Sequence, residues 1–308
     1  MELTKYILKR LFWLLVTLFI IMTATFFLMQ VMPGTPFNNP KLTPQQLQTL
    51  SASYGLNKPV WEQYLLYLGH MFTGDFGTSF SSTNQPVSSM ILQRLPVSGG
   101  LGLDALVIGI LLGTIMGMSS ARHKNSWIDA VLGFISTLSI SVPSFVIGSV
   151  LLLFFGYTWG ILPVTGWDGP FSLTAVMPAL ALAFTVIGGV TRFVRAEMVE
   201  SLESDYILLA RAKGLSEKEV VNKHAFRNSI IPMLTLIAPM AANLLTGSIL
   251  IENIFGIPGI GSQFVTSISA KDYPVIMATT IVYALMLMVF ILVTDVITAL
   301  VDPRIRLQ

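Results

Sequence analysis

Two carboxylates and a cluster of hydroxyls are the groups in this sequence best placed to do chemistry away from water. Asp104 and Asp295 each fall within a long apolar run, where a charge is costly enough to mark a functional candidate. The milder expectation is that each reaches the interface or pairs with another span, and Asp295 lies within reach of Arg192 or Arg195 near the inner end of its run. Ser136, Thr137, Ser139, Ser141 and Ser144 crowd the middle of another apolar run, around Pro143. A hydroxyl nucleophile needs an adjacent base. His70, His123 and His224 all fall outside the apolar runs, so an intramembrane serine protease lacks its histidine, and no Asp–Asp pair is brought together instead. The hydroxyls then read as the lining of a kinked, path-facing helix, or as packing between helices, where Ser and Thr are also common.

Other chemistries are excluded by what is missing. There is no cysteine, hence no disulfide, thiolate metal site or cysteine nucleophile. The three histidines are far apart in sequence, and no metal site is expected. No Gly-x4-Gly-Lys-Ser/Thr phosphate loop is present, nor a row of intramembrane charges such as a proton-coupled pump carries. A transporter built this way takes its energy from another protein.

The elements that position these groups follow from composition. The 308 residues are 53% hydrophobic and 11% charged, with a mean hydropathy of +0.73; a soluble domain carries roughly twice that charge. This is the composition of an integral membrane protein. The net charge of +2 gives no reason to expect a nucleic-acid partner. Lys5, Lys9 and Arg10 precede an apolar run to about residue 32, which is too long for a signal sequence and has no cleavage site after it. It is expected to remain as a first transmembrane helix. Further spans are predicted at about 101–120, 128–155, 175–194, 230–251 and 275–301, making six in an all-α membrane protein. Gly102, Gly109, Gly113 and Gly117 in the second span permit close helix contact. Only Lys41, Lys58, Arg94 and Lys271 fall on the outer side of this arrangement, leaving fourteen of eighteen basic residues inside. Both termini are therefore expected in the cytoplasm.

Three regions emerge: residues 1–32 with the first span; an extracellular insertion, 33–96; and a core, 97–308, with a cytoplasmic loop at 195–229. The insertion has helix signals at Thr43, Pro44 and Gln46, and again in the spacing of Trp61, Leu65, Leu68 and Phe72. In the cytoplasmic loop, Ser204 and Asp205 open a short helix, Ile207 to Ala210 supply apolar matter to bury, and Arg211 and Lys213 fall in its last turn. Gly214 stands where a left-handed residue is needed. Ser216 and Glu219 then form a capping box, with Glu219 and Lys223 spaced to pair. A helix–glycine–helix knob held at the membrane surface is built to touch something; an ordinary solvated loop is the plain alternative.

Several motifs in order carry a resemblance across essentially the whole chain: Pro33-Gly34-Thr35-Pro36, YGLNKP at 54–59, GDFGTSF at 74–80, ILPVTGW at 161–167, DYILLARAKGL at 205–215, GSILIENIFGIPGIG at 247–261, Asp272-Tyr273-Pro274 and Asp302-Pro303-Arg304. The chain resembles a permease subunit of the bacterial dipeptide/oligopeptide ABC importers, most of all the oligopeptide permease B type. The resemblance implies a six-helix type I importer permease in the bacterial cytoplasmic membrane. It also implies a second homologous permease, two ATP-binding subunits holding ATP and Mg, an extracellular or periplasmic peptide-binding protein, and a peptide substrate. This chain would bind no cofactor. The knob becomes the coupling helix docked on an ATPase, through Asp205, Tyr206, Ala210, Arg211, Ala212, Lys213, Gly214 and Leu215. Pro232 comes 18 residues after Gly214, a longer gap than the general importer pattern. Ser136, Ser139, Ser141, Ser144, Asn243 and Thr246 are candidates for the substrate path. Glu252, Gly256, Pro258 and Gly259 are candidates for the side facing the binding protein. Relatives that carry dipeptides, nickel or sugars are the nearest alternatives; a stand-alone channel or an intramembrane enzyme would leave the knob without a purpose.

Overall fold

The computed structural model describes residues 2–33, 43–82, 85–245 and 247–301. Thirteen helices follow in chain order among them: α1 Glu2–Val31, α2 Pro44–Ser53, α3 Val60–Thr73, α4 Val87–Arg122, α5 Trp127–Ser141, α6 Ser144–Leu151 with a π-helical continuation to Thr158, α7 Leu173–Leu202, α8 Asp205–Ala212, α9 Glu217–Glu219 with a π-helical continuation to Ala225, α10 Phe226–Leu245, α11 Ile249–Ile254, α12 Ile260–Ala270 and α13 Tyr273–Val301. The protein is an all-α membrane protein, as its hydropathy requires. Four helices are long and apolar enough to cross a bilayer, and α5 with α6 makes a fifth candidate. The sixth crossing expected from the sequence falls on α10, 20 residues with Pro232 and Pro239 inside it.

The centre of the fold is the pairing of α4 with α7. Gly109, Gly113 and Gly117 recur every fourth residue and face Val186, Val190 and Val194, which recur in step. A Cβ on any of the three would lie 2.6–2.7 Å from the opposing valine Cβ. The predicted close contact is therefore present, with α7 the partner of these three glycines, while Gly102 packs against the α10 backbone at Leu244. Leu101, Ala105, Ala179, Ala183 and Ile187 continue this core along the same pair of helices.

Four boundaries differ from the sequence expectation. Helix α4 starts at Val87, so residues 87–96 are helical rather than loop. Val87, Met90 and Ile91 repeat at helical spacing and pack on Ile260, Val275 and Ala278, and this burial holds the helix through Pro96. The third predicted span is a broken one: α5 and α6 meet at 104°. Pro143 forces Val142 into extended backbone, φ −90° and ψ 125°. Helix α7 runs past residue 194 to Leu202. Helix α10 stops at Leu245, and α11 and α12 follow as separate short helices.

Candidate functional site

The most completely assembled site lies at the end of α7. Arg195 grips Asp129 with two parallel bonds, Nε to Oδ1 and Nη2 to Oδ2, both 2.6 Å. Ser120 Oγ also donates to Oδ1, and the Asn125 amide to Oδ2 at 2.9 Å. One buried carboxylate thus joins the end of α4, the turn at 123–126, the start of α5 and α7. The expected pairing of Asp295 with Arg192 or Arg195 falls on a side chain outside the described residues; among the described residues Arg195 is held by Asp129. Arg192 donates to Thr137 at 2.7 Å. The signal for Asp129 was present in Ser126-x-x-Asp129, since the Ser126 hydroxyl accepts from the Asp129 amide as an N-cap.

Next to this node sits the helical knob. Gly214 takes φ +79° with open space around its Cα, so backbone conformation alone demands glycine there. Arg211 Nε reaches Glu217 Oε1 at 2.7 Å across the glycine turn, clasping α8 to α9. The first half of the capping box forms, Ser216 accepting from the Glu219 amide, while the Glu219 carboxylate takes the Ser216 hydroxyl at 3.1 Å and lies 3.3 Å from Lys223. Those partners, the Ser216 hydroxyl first and Lys223 after it, hold the Glu219 carboxyl below the usual range. Ser204 occupies the N-cap position of α8 but makes no capping bond; its hydroxyl donates back to the Ser201 carbonyl.

The apolar residues of α8 divide between two faces. Ile207 and Ala210 are buried against Val194, Met198, Val220, Val221 and Ala225. Leu208 and Leu209 were expected to be buried and are instead 67% and 57% exposed. They stand beside Asp205, Tyr206, Arg211, Ala212, Lys213 and Gly214, all exposed, with Leu215 half-buried. The knob is tied to the rest of the protein by Arg122 to Asn222 at 2.6 Å and by Lys124 to Glu203. Such a unit presents a stiff, partly apolar surface and passes any displacement into α7, α4 and α5 together.

The predicted path hydroxyls separate. Ser136 and Ser139 are fully buried. Ser136 Oγ donates to the Gly188 carbonyl at 2.8 Å, and a Cβ on Gly188 would strike the Ser136 carbonyl. Both serines therefore serve α5–α7 packing, which corrects their placement on a path. Ser141 and Asn243 are exposed, and Ser144 is half-buried at the α5–α6 break. Thr246 lies outside the described residues. Asp104 is buried and accepts from the Phe171 amide at 2.9 Å, pinning the loop before α7.

Glu252 is corrected as well. It is fully buried rather than facing outward. Its carboxylate accepts from Ser98 Oγ at 2.7 Å and the Ser262 amide at 2.9 Å. Burial pushes the carboxyl above its usual range, and these bonds oppose that. Gly259 is buried against it: a Cβ there would lie 2.4 Å from Oε2. The glycines of GIPGIG thus make room for a carboxylate, while Gly256 and Pro258 remain exposed. A second buried carboxylate, Asp272, accepts from Ser81 Oγ at 2.7 Å, from the amides of Phe80 and Ser81 at 3.1 Å, and from Ser79 Oγ. It fastens the GDFGTSF segment to the start of α13.

Comparison with known proteins places this geometry. Residues 109–307 match the family described as binding-protein-dependent transport system inner membrane component. Residues 3–102 match the N-terminal component of such membrane proteins. The dipeptide transport system permease protein DppB of Lactococcus lactis subsp. cremoris is 69% identical over 98% of this chain and 99% of its own length. DppB of Bacillus subtilis is 39% identical over 99% and 98%. The oligopeptide transport system permease protein OppB of Haemophilus influenzae is 38% identical over 98% and 99%. Among solved structures, an amino acid ABC transporter with histidines superposes at a TM-score of 0.53 with 17% identity, over 68% of this chain and 92% of that one, a likeness of fold.

Proposed function

The chain belongs to the binding-protein-dependent transport system inner membrane component family, as a dipeptide/oligopeptide ABC permease, and on that premise we propose that it carries short peptides, dipeptides first, driven by ATPases that dock on the α8–α9 knob. It is a transport subunit of a peptide importer and not an enzyme. The observation that carries the coupling role is the split of α8: Ile207 and Ala210 anchor the helix while Leu208 and Leu209 stay exposed beside Gly214. An apolar pair on a rigid, clasped support suits a groove in a partner. The 69% identical relative is a dipeptide permease, which favours dipeptides; the oligopeptide permeases at 35–38% favour the longer substrate as the second reading.

The complete importer pairs this chain with a second homologous permease, two ATP-binding subunits holding ATP and Mg, and an extracellular or periplasmic peptide-binding protein. The knob and both termini face the cytoplasm of a bacterial cell, on the side where the basic residues collect. Gly256 and Pro258 face the binding protein. Ser141, Ser144 and Asn243 offer hydroxyls and an amide to the path, which suits a substrate with an invariant backbone and varied side chains.

Affinity capture through a tag after Gln308, followed by mass spectrometry, tests the partners: a second permease and ATPases are expected. Capture of a lone homo-oligomer in several detergents would return the chain to a channel. Uptake of labelled di-, tetra- and hexapeptides by cells lacking and regaining the gene then assigns length. A gain limited to the dipeptide supports the first reading, and equal gains support the second.

A further inference from the structure

Three motif segments of the insertion and α13 meet at a place that coupling does not use. The Tyr54 and Phe80 rings lie 4.5 Å apart, and Phe80 lies 6.3 Å from Tyr273. Beside them is an open cavity of about 450 Å³, in the size range of small-molecule sites. Its walls are mainly apolar, with Phe26 and Met29 from α1, Leu66 from α3 and Met277 from α13. The amides at its rim are engaged with each other and with the backbone: Gln30 donates to Gln63 at 3.1 Å, and Gln63 to the Lys58 carbonyl at 2.8 Å. His70 and Asp75 also line it and lie 3.4 Å from each other, so the apolar wall is the part that suits an uncharged chain.

The register against α1 sets the depth of this cavity. Tyr64 on α3 meets the Thr23 hydroxyl at 2.7 Å, and the rings of Tyr64 and Tyr67 lie 5.3 and 5.7 Å from that of Phe26. Thr23 and Phe26 come eight and five residues before Val31, the last residue of the helix. They therefore stand roughly 12 and 8 Å below its end at about 1.5 Å per residue. An interfacial helix seats its apolar face about 5–10 Å into the headgroup–acyl boundary, and α3 reaches the same depth. Its opposite side is also apolar: Trp61, Leu65 and Phe72 are 64%, 57% and 82% exposed. Glu62, Gln63 and His70 are its polar positions, and a helix that exposes this much apolar surface belongs at an apolar boundary. Phe27, Leu28 and Val31 on α1, itself an exposed span, are exposed as well, and the Phe27 ring lies 5.7 Å from that of Tyr64 on α3. Leu66 belongs to both surfaces, lining the cavity and remaining 43% exposed.

We propose that α3 rests in the leaflet at the Val31 end of α1 and that the cavity behind it is a lipid site: an acyl chain of a bilayer phospholipid enters beside Leu66 and lies against Phe26, Met29 and Met277. The lipid then wedges the insertion between α1 and α13. Because Asp272 already fastens residues 79–81 to the start of α13, the bound chain stiffens the same junction from beneath. This assignment does not depend on which peptide is carried.

The assembled complex, captured through the C-terminal tag and reconstituted in vesicles of phosphatidylethanolamine and phosphatidylglycerol, tests it by native mass spectrometry. Wild type is expected to retain one more phospholipid per chain than Met29→Phe, which fills the cavity, and than Leu66→Asp, which sets a charge at its mouth. Equal lipid counts in all three overturn the proposal. Should Met29→Phe fail to assemble, Leu66→Asp, at an exposed position, decides alone. A free fatty acid in place of the phospholipid overturns it as well. So does displacement of the lipid by a transported dipeptide, which would hand the cavity to the substrate.

Discussion

At the scale of single residues, the carboxylates do structural rather than chemical work, and each does it in a way that can be measured. Asp129 is 8% exposed as a side chain and its partner Arg195 is 34% exposed. Removing Arg195 leaves a buried charge with only a hydroxyl and an amide beside it. Arg195→Ala is therefore expected to destabilise by about 3 kcal/mol, at the low end for breaking a buried pair because Arg195 is partly solvated. Asp129→Asn in the same chain should restore about half of that, since the orphaned charge is gone. A thermal melt of the detergent-purified complex checks both, and a double variant no better than Arg195→Ala would refute the pairing argument. Gly214 poses a cleaner question. Nothing lies within 4 Å of the site of its missing Cβ, so any effect of substitution comes from φ and not from a clash. Gly214→Val is expected to cost about 1–2 kcal/mol locally and to lose ATPase co-purification, while Gly214→Asn, tolerant of left-handed backbone, keeps it. Equal loss in both variants would point to a need for bare backbone against the partner.

At the scale of elements, α8 shows why burial could not be read from local pattern. Four apolar residues in succession, Ile207 to Ala210, wrap more than a full turn, and an isolated eight-residue helix can bury only one side of that turn. Which side is decided by α7 and the π-helical turn after α9, elements distant in sequence or irregular in pitch. On the coupling role proposed above, the exposed pair is the docking element. Leu208→Asp with Leu209→Asp is expected to leave insertion and folding intact, because neither side chain touches the core, and to reduce captured ATPase at least tenfold. Quantitative western blots of membrane and captured fractions measure it, and undiminished capture would move docking to the α9 side. The same logic explains the serines of α5. Their spacing around Pro143 announced a break, and the break is there; but Ser136 and Ser139 face Gly188 because that glycine, 52 residues on, leaves a gap that only a close helix can fill. The capping box, the left-handed Gly214 and the clasp of Glu219 to Lys223 were all legible, since each depends on neighbours within four residues. Glu252 was not, because its cage is assembled from Ser98 on α4 and from Gly259 and Ser262 at the start of α12.

At the scale of the molecule, the coupling role proposed for the knob needs a member that carries motion to the far side of the membrane without bending, and the α4–α7 pair is built to be that member. Both helices run the full depth of the fold, 36 and 30 residues, and three glycine–valine contacts hold them at a separation no other residue allows. The elements around them are interrupted where the pair is continuous: α5–α6 at Val142 and Pro143, and α10–α11 at Gly247. Displacement at Arg195 and the knob should therefore move α4 and α7 as one body, with flexing concentrated at the two breaks. Gly113 lies at the middle of the zipper, where a Cβ would meet Val190 Cβ at 2.7 Å. Gly113→Ala is expected to force the helices apart, cost about 1–3 kcal/mol as an overpacked contact, and uncouple the machine, so that ATP hydrolysis continues while peptide uptake falls several-fold. Val190→Gly removes the opposing Cβ together with its methyls and should restore uptake in the double variant. Parallel measurement of ATPase rate and peptide uptake in vesicles separates this from simple misfolding, which lowers both together. If Gly113→Ala lowers both rates in proportion and Val190→Gly restores neither, the pair is only a scaffold and the motion travels through α5 and α10 instead.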